Sequence, residues 1–385
     1  MTVNRPNDMP SQPANSKPER SSLTLITFFF AVLLVSVLVV LGVLVVLSPG
    51  TPKPFLDGSG RTVTGSVSEK IKVHINGVDQ GMFIKSKNIR NPVLLYLHGG
   101  MPDYFLTQRY PTGLDEDFIV VWWEQRGSGL SYDSNAPLAL VNTGQLVLDT
   151  VAVTNYLRVR FAQEKIYLMG HSGGSFIGVQ TAARAPELYH AYLGVAQMTN
   201  QFESEKLAYN YMLQRFITGE DTKMVRQLNK SPIGHAPPLP AAYMKVRDVA
   251  MHTLGVGTMH SMTSIATGLF LASLLNPEYT LGEKINLWRS KIVAGSPLWN
   301  TELATDLTKT VTRLEIPVYF FHGIHDYTVS YPLAKSYFEM MVAPVKGFYT
   351  FSKSAHSPLF EEPGRMQRIM RTDVLCGNTN RADPK

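Results

Sequence analysis

One pentapeptide of the chain has the residues and the spacing of a serine nucleophile. Gly170, His171, Ser172, Gly173 and Gly174 follow a short apolar run and open a stretch of helical periodicity. A Gly-x-Ser-x-Gly pattern between a strand and a helix is typical of a tight turn that exposes the serine hydroxyl. The glycines let neighbouring backbones approach, and free amides at the helix start can stabilise an oxyanion. A glycine-rich turn that holds an inert serine is the competing interpretation.

A second glycine-rich turn can supply the rest of an oxyanion hole. The sequence HGGMP, which begins at His98, directly follows the apolar run Val93–Leu97. A turn of this kind after an early strand provides an amide that binds a developing oxyanion. We therefore expect the amides of Gly100 or Met101 to act together with that of Gly173. A plain turn, with His98 only fixing its shape, is the alternative.

Two later residues supply the acid and the base that a serine nucleophile needs. Asp326 follows the apolar run Val318–Phe321, and His356 follows the run Phe348–Phe351, in the order serine, acid, histidine. A buried carboxylate would fix the imidazole tautomer and stabilise the imidazolium. His356 can then take the proton of Ser172 as it attacks a carbonyl, and water can release the acyl-enzyme. The spacing predicts a triad of Ser172, Asp326 and His356.

A metal site is the competing interpretation of His322, His325 and Asp326. Two histidines three residues apart on a loop are a weak ligand spacing, and no cluster of cysteine or histidine supports it. The single cysteine, Cys376, excludes an intramolecular disulfide and a CxxC zinc site. The predicted chemistry therefore requires no metal and no organic cofactor.

The residues above must be positioned by alternating strands and helices. Short apolar runs bounded by turn residues predict buried strands, and there are eight of them: Ile71–Ile75, Met82–Ile84, Val93–Leu97, Ile119–Trp123, Ile166–Met169, Tyr192–Ala196, Val318–Phe321 and Phe348–Phe351. Helical patterns lie between several of the runs, including 143–161 and the stretch from Ser172 to Arg184. This alternation predicts an α/β fold with a mostly parallel central sheet.

The alternation of strand and helix patterns is interrupted between residues 201 and 314. This region has helical patterns and no clear strand, which predicts a helical lid inserted into the sheet domain. Within it the apolar run 263–275 is too short to cross a membrane. We interpret that run as a lid helix lining an apolar pocket.

The N-terminal region contains a predicted transmembrane helix. Residues 23–47 carry no charge, and a helix of that length can cross a hydrocarbon core of ~30 Å. A cleaved signal peptide is the alternative, but its apolar region is usually shorter and ends in small residues. More cations precede the run than follow it, so the positive-inside rule predicts an extracytoplasmic catalytic domain; the cations are Arg5, Lys17 and Arg20 before, and Lys53 and Arg61 after.

The predicted organisation assigns every part of the 385 residues, whose net charge of +6 is spread along the chain. A dispersed charge argues against a nucleic-acid partner. The sequence does not fix the oligomeric state. The predicted segments are a disordered tail (1–22), a transmembrane helix (23–47), a linker (48–68), a first core part (69–200), the lid (201–314), a second core part (315–372) and a C-terminal tail (373–385).

Several motifs together resemble the prolyl iminopeptidase-like branch of the α/β hydrolases. The segment WEQRGSGLS, which begins at Trp123, resembles the family signature W-D-Q-R-G-S-G-x-S. HGGMP resembles HGGPG, GHSGGS resembles GGSWGS, and HGIHD and AHSP lie where the family keeps its acid and histidine. The resemblance covers about residues 70–370. It implies the α/β-hydrolase fold, the triad of Ser172, Asp326 and His356, and removal of N-terminal proline from peptides; relatives cleave other amides and esters.

The chain departs from that family around the substrate pocket. Met101 and the following proline replace Pro-Gly, and Gly173 replaces tryptophan, so the resemblance does not establish specificity for proline. Lid carboxylates bind the substrate's amino group in the family, and Glu203 and Glu205 are the candidates here. An exposed helix start is their alternative interpretation. We predict an aminopeptidase-like hydrolase of small peptides or amino-acid amides, with a carboxylesterase or lipase-like enzyme as the alternative and an inert binding module as a remote one.

Overall fold

The computed structural model describes Met1, residues 20–293 and residues 295–384. All but the first residue and the last few of the predicted tail 1–22 lie outside the described residues. The chain forms two compact units, Met1–Leu47 and Ser48–Lys385. We describe each unit by itself.

The first unit contains one long helix, α1 (Arg20–Val46). Its segment Thr24–Val46 is the one helix, among the residues that the structure describes, that is long and apolar enough to cross a membrane. At 1.5 Å per residue, this segment is about 35 Å long, which exceeds a typical hydrocarbon core. A signal sequence near an N-terminus can also meet this criterion of length and apolarity.

The second unit is built on one eight-stranded sheet. The strand order is β1-β2-β4-β3-β5-β6-β7-β8, and all pairs from β4 to β8 are parallel, whereas β2 is antiparallel to both its neighbours. The prediction of a mostly parallel sheet is confirmed, and each apolar run that predicted a strand overlaps one. The strands are β1 (Val67–Ile75), β2 (Val78–Ser86), β3 (Val93–Leu97), β4 (Ile119–Trp123), β5 (Ile166–His171), β6 (Tyr189–Val195), β7 (Val318–Gly323) and β8 (Lys346–Phe351).

Helices cover both faces of this sheet, and short 3₁₀ turns occupy several connections. The helices of the core are α2 (Thr143–Arg160), α3 (Gly173–Arg184), α11 (Tyr331–Met340), α12 (Pro358–Glu361) and α13 (Pro363–Ile369). Between β6 and β7 the chain forms α4 (Gln201–Thr218), α5 (Thr222–Asn229), α6 (Ala241–Thr253), α7 (Ala266–Leu275), α8 (Leu281–Val293), α9 (Gly295–Ala304) and α10 (Leu307–Thr310). We call residues 201–314, which contain α4 to α10, the lid.

The two faces of the sheet belong to two hydrophobic cores. Leu95 and Val121 contribute to the core under α2, α3 and α11, whereas Tyr96 and Trp122, the next residues along, contribute to the core under α12 and α13. Successive side chains of a strand point to opposite faces, so strands buried on both faces are continuously apolar in sequence. The lid has a third core of its own, in which Tyr243 is fully buried.

Candidate active site

The turn between β5 and α3 holds Ser172 in a conformation that few L-residues adopt. Its φ is 56° and its ψ is −124°, and its N–H donates to the carbonyl oxygen of Val195 at 3.0 Å. A Cβ atom on Gly170 would lie 2.4 Å from the carbonyl oxygen of Gly174, and one on Gly174 would lie 2.1 Å from that of Leu97. The flanking glycines are therefore required by close backbone packing, and the strained serine is typical of a nucleophile elbow.

The candidate acid and base meet at the ends of the two neighbouring strands β7 and β8. The Nδ1 atom of His356 lies 2.9 Å from Oδ2 of Asp326. The other carboxylate oxygen accepts a hydrogen bond from the N–H of Val329 at 2.9 Å, and Nε2 of His322 lies 3.2 Å from Oδ2. Asp326 and His356 are both buried. This arrangement fixes the imidazole ring with Nε2 free to accept a proton.

Electrostatics favours a neutral base beside an ionised acid. Burial lowers the pKa of His356 below its ordinary value, although the charge of Asp326 partly opposes that shift. Burial alone would raise the pKa of Asp326, but its interactions with His356 and His322 outweigh burial and lower that pKa. At neutral pH the imidazole is therefore uncharged, which is the form that a general base needs.

Ser172 and His356 line the same cavity, whose volume is about 700 Å³. That size suits a small molecule or a short peptide. Among the described residues, Ser172 Oγ and His356 form no hydrogen bond with each other. Catalytic hydrogen bonds of this kind often tighten only when substrate is bound.

The oxyanion-hole candidates border the same cavity. Gly100, Met101 and Gly173 all line it. A Cβ atom on Gly99 would lie 2.8 Å from the Cβ of Ser172, so this turn packs directly against the nucleophile. The turn is fixed by His98. Its Nε2 accepts a hydrogen bond from the N–H of Gln125 at 3.1 Å, and its Nδ1 donates to the carbonyl oxygen of Gly99 at 2.8 Å. Burial lowers the pKa of His98 to about 4, which keeps the ring neutral.

The loop that carries His356 is held by a carboxylate that the sequence did not reveal. Glu361 accepts hydrogen bonds from the N–H of Ala355 at 2.9 Å and from the N–H of Ser357 at 3.2 Å. It also accepts the N–H of His260, a lid residue, at 2.6 Å. Glu361 therefore ties both sides of the candidate base to each other and to the lid.

His171, the residue before Ser172, holds the same loop from the opposite side. Its Nε2 lies 2.9 Å from the carbonyl oxygen of His356, and a carbonyl oxygen only accepts, so this nitrogen carries the proton. Its Nδ1 lies 3.2 Å from Oδ2 of Asp103, which also accepts the Tyr96 hydroxyl at 2.6 Å. The bond to His356 connects the turn of the nucleophile to the loop of the base.

The turn that carries the family-like signature has structural partners. Arg126 donates to both carboxylate oxygens of Asp149, at 2.6 and 2.9 Å. Glu124 accepts the N–H of Leu130 and the hydroxyl of Tyr279, a lid residue. This turn therefore joins the sheet to α2 and to the lid.

The two lid carboxylates predicted to bind an amino group do not line the cavity. Glu203 is exposed on α4 and pairs with Lys206 at 2.7 Å. Glu205 is fully buried, but it is held by Arg247, whose Nε lies 2.7 Å from its Oε2. Asn200 caps the start of this helix by accepting the N–H of Glu203 at 3.1 Å. In the structure one carboxylate therefore faces solvent, and the other is paired with a guanidinium inside the lid.

A different lid carboxylate, Glu302 on α9, does line the cavity. Its Oε1 lies 2.8 Å from where a Cβ atom on Gly173 would be, directly beside the nucleophile turn. The side chain is 6% exposed, and it forms no hydrogen bond or ion pair with any residue that the structure describes. Burial raises its pKa to about 8. No motif surrounds Glu302 in the sequence, so only the fold reveals it.

No set of ligands among the described residues supports the alternative of a metal site at His322, His325 and Asp326. Among the described residues, no three or more His, Cys, Asp or Glu side chains form a group that could hold a metal ion. His322 lies beside Asp326, but the ring of His325 stacks on that of His260 instead, with centroids 4.0 Å apart.

Comparison with known proteins gives consistent results. Residues 91–262 match the serine aminopeptidase family. A probable aminopeptidase of Bacillus subtilis, YbaC, is 29% identical over 302 residues, which cover 77% of this chain and 93% of that protein.

Solved structures also resemble the chain. A proline iminopeptidase from Mycobacterium smegmatis superposes with a TM-score of 0.58 at 13% identity, covering 80% of this chain and 98% of that one. A proline iminopeptidase-related protein from Thermus thermophilus superposes with a TM-score of 0.52 at 18% identity, over 80% and 98% of the two chains. The sheet, the nucleophile turn and these matches show that the chain has the α/β-hydrolase fold and is a hydrolase similar to the serine aminopeptidases.

Proposed function

We propose that the chain is a membrane-anchored serine hydrolase that removes N-terminal residues from short peptides or cleaves amino-acid amides. Ser172, Asp326 and His356 form its catalytic triad. The observation that carries the substrate class is the buried carboxylate of Glu302 beside the nucleophile turn.

The chemistry follows from the positions of these groups. His356 accepts the proton of Ser172 as the hydroxyl attacks the scissile carbonyl carbon, and Asp326 stabilises the imidazolium that results. The amide of Gly173 and that of Gly100 or Met101 bind the oxyanion. His356 then gives its proton to the leaving amine, and water releases the acyl-enzyme by the reverse sequence.

Glu302 lies where an aminopeptidase needs a negative charge. In an N-terminal residue the α-amino nitrogen is two bonds, or about 2.5 Å, from the carbonyl carbon that the serine attacks. A group that recognises this ammonium must therefore lie next to the nucleophile turn, as Glu302 does beside Gly173. A buried carboxylate without a cation is unfavourable. The ammonium of an amino-acid substrate would supply that cation, whereas the acyl chain of a simple ester would not. The position thus favours an amine substrate over an ester.

The raised pKa of Glu302 is consistent with a site that is neutral when empty. With a pKa of about 8, the side chain is mostly protonated at neutral pH. A substrate ammonium would lower that pKa, since an opposite charge favours the ionised form. The ion pair therefore forms only when the correct substrate is bound.

The N-terminal helix supports the membrane part of the proposal. Thr24–Val46 has the length and apolarity of a spanning helix. Three cations precede the apolar run and two follow it within a similar distance, so we propose a single pass with the catalytic unit on the extracytoplasmic side.

The decisive experiment compares three substrates of one amino acid: a free amino-acid anilide, the same anilide acetylated on nitrogen, and a short-chain ester. We expect turnover of the free anilide and little of the blocked one. Ser172→Ala should lose about 10⁴-fold or more in kcat. Glu302→Gln should raise KM for the free anilide about 10- to 100-fold, whereas Glu203→Gln, a matched change of an exposed lid carboxylate, should leave it unchanged.

Two outcomes would overturn the assignment. Equal turnover of free and blocked anilides would remove the role of the amino group. Turnover of the ester alone would identify a carboxylesterase with the same triad.

A further inference from the structure

Two lid helices expose a continuous set of apolar side chains to solvent. Phe270, Leu271 and Leu275 of α7 and Ile285 and Ile292 of α8 are exposed, with fractions between 45% and 77%. The half-buried ring of Trp288 connects the two helices, since its centroid lies 5.4 Å from that of Phe270. We call these six residues the lid apolar face. Single exposed apolar residues are normal, but a contiguous patch marks a contact surface.

The opposite side of α7 forms part of the cavity wall. Leu269, and Ile265 just before the helix, line the cavity that contains Ser172. Gly268 is packed so tightly against Met262 that a Cβ atom there would lie 2.4 Å from its sulfur. The helix is therefore a thin wall with apolar side chains towards the cavity and towards solvent.

The start of the second unit is fastened to the same part of the lid. The N–H of Gly50 donates to the carbonyl oxygen of Pro277 at 3.0 Å, two residues after Leu275. The ammonium of Lys284 on α8 donates to the hydroxyl of Ser48 at 2.7 Å. The segment that follows the apolar helix in the chain thus ends on the lid.

Chain connectivity limits how far a membrane surface can be from this face. The apolar segment ends at Val46, and only one residue separates it from Ser48. An extended chain advances at most ~3.6 Å per residue, so these two residues span about 7 Å. If the segment crosses a bilayer, the bilayer surface lies within reach of the lid apolar face.

The charges around the face suit anionic lipid. Arg289 is exposed and Lys291 is half-buried on α8, and the guanidinium of Arg109 donates to a carbonyl oxygen near the start of α7 at 3.4 Å. The acidic residues between positions 266 and 293 are Glu278 and Glu283, and each is already paired with a lysine. A cationic border around an apolar patch matches the headgroups and acyl chains of an anionic bilayer surface.

We propose that the lid apolar face lies on the anionic bilayer that holds the N-terminal helix, so that one wall of the catalytic cavity rests at the membrane interface. This inference rests on the membrane anchoring in the proposed function. It makes the membrane a partner of the lid as well as of the anchor.

Site-directed fluorescence in the full-length chain tests this contact. With Cys376→Ser as background, an environment-sensitive dye is placed at Leu271→Cys, or at Val159→Cys as the matched control. Val159 is 84% exposed on α2, which packs on the other face of the sheet. A third label at Val39→Cys, within the apolar helix, reports the anchor. The protein is reconstituted in nanodiscs of phosphatidylcholine and phosphatidylglycerol that carry a shallow doxyl quencher.

We expect the labels at positions 39 and 271 to lose most of their emission and the label at 159 to keep it. Quenching at 39 without quenching at 271 would overturn the lid contact while leaving the anchor intact. No quenching at 39 would overturn the anchor and with it this inference. Equal quenching at 271 and 159 would also overturn it, because the contact would then be unspecific.

Discussion

The carbonyl oxygen of His356 accepts a hydrogen bond from the ring of His171 at 2.9 Å. Because His171 directly precedes Ser172, this bond fixes the loop of the base relative to the turn of the nucleophile. The bond involves the backbone of His356, so its imidazole remains available for proton transfer. His171 is therefore a positioning residue in the proposed mechanism.

Replacing His171 with alanine tests this positioning role. The loop would lose one hydrogen bond, and we expect kcat to fall about tenfold, which corresponds to ~1.4 kcal/mol. KM should stay within about twofold, since the ring does not bind the substrate's amino group in the proposal. His74→Ala, a change of an exposed histidine on β1, should alter neither constant. A rise in KM with kcat unchanged would contradict the positioning role.

Glu361 predicts a dependence of stability on pH. Burial raises the pKa of this carboxyl to about 7 in the folded chain, above its ordinary value in the unfolded chain. Between those two values the folded state binds the extra proton, so the contribution of Glu361 to stability is present below the unfolded pKa and is lost as pH rises towards 7.

The variant Glu361→Gln isolates this effect because it does not titrate. We expect the free energy of unfolding of the variant, relative to the unchanged chain, to increase as pH rises from about 4.5 to about 7. Urea unfolding at several pH values measures it. Glu315→Gln, which changes an exposed ion pair, is the control and should show no such slope. A constant difference between Glu361→Gln and the unchanged chain would contradict the raised pKa.

Much of the fold could be predicted because buried strands have a recognisable sequence pattern. The run Val93–Leu97 is buried at every position, and the same is true of Ile119–Trp123, so both are continuously apolar. The motifs around Ser172, Asp326 and His356 follow strands in the predicted order, and Nδ1 of His356 lies 2.9 Å from Oδ2 of Asp326. The triad itself stays a prediction.

The lid could not be predicted to the same depth. The sequence marks the start of α4 through Asn200, but it does not show that Glu205 meets Arg247, a residue on another helix. Nor does it show that α9 returns to the nucleophile turn and places Glu302 beside Gly173. Contacts between lid helices depend on packing at long sequence separation, and no local pattern encodes them.

The pH profile of KM distinguishes Glu302 from an incidental buried acid. Its pKa of about 8 means that below this pH the side chain must lose a proton before it can pair with an ammonium. Above about 7.7 to 8.0, a typical α-amino group loses its own proton. We therefore expect KM for a free amino-acid anilide to be lowest near pH 8 and to rise on both sides.

Steady-state kinetics of Glu302→Gln checks this account. The variant should lose the rise of KM on the acid side, because glutamine has no proton to lose, and it should keep the rise on the alkaline side. The acid limb of kcat, which reports the lowered pKa of His356, should be unaffected. An unchanged acid limb of KM in the variant would assign that limb to another group.

The buried ion pair between Glu205 and Arg247 should be the lid's most sensitive electrostatic contact. Glu205 is fully buried and accepts hydrogen bonds from Arg247 and, at 3.1 Å, from the hydroxyl of Tyr243. Removing its charge leaves the buried guanidinium with the carboxylate of Asp248, at 2.8 Å, as its remaining ion-pair partner. We therefore expect Glu205→Gln to cost about 3 kcal/mol in the free energy of unfolding, the lower end of the range for breaking a buried pair. Glu203→Gln, two residues earlier on the same helix, breaks only an exposed pair and should cost less than about 1 kcal/mol. Chemical denaturation of both variants measures the difference, and equal losses would mean that the pair in the lid core adds nothing beyond a surface contact.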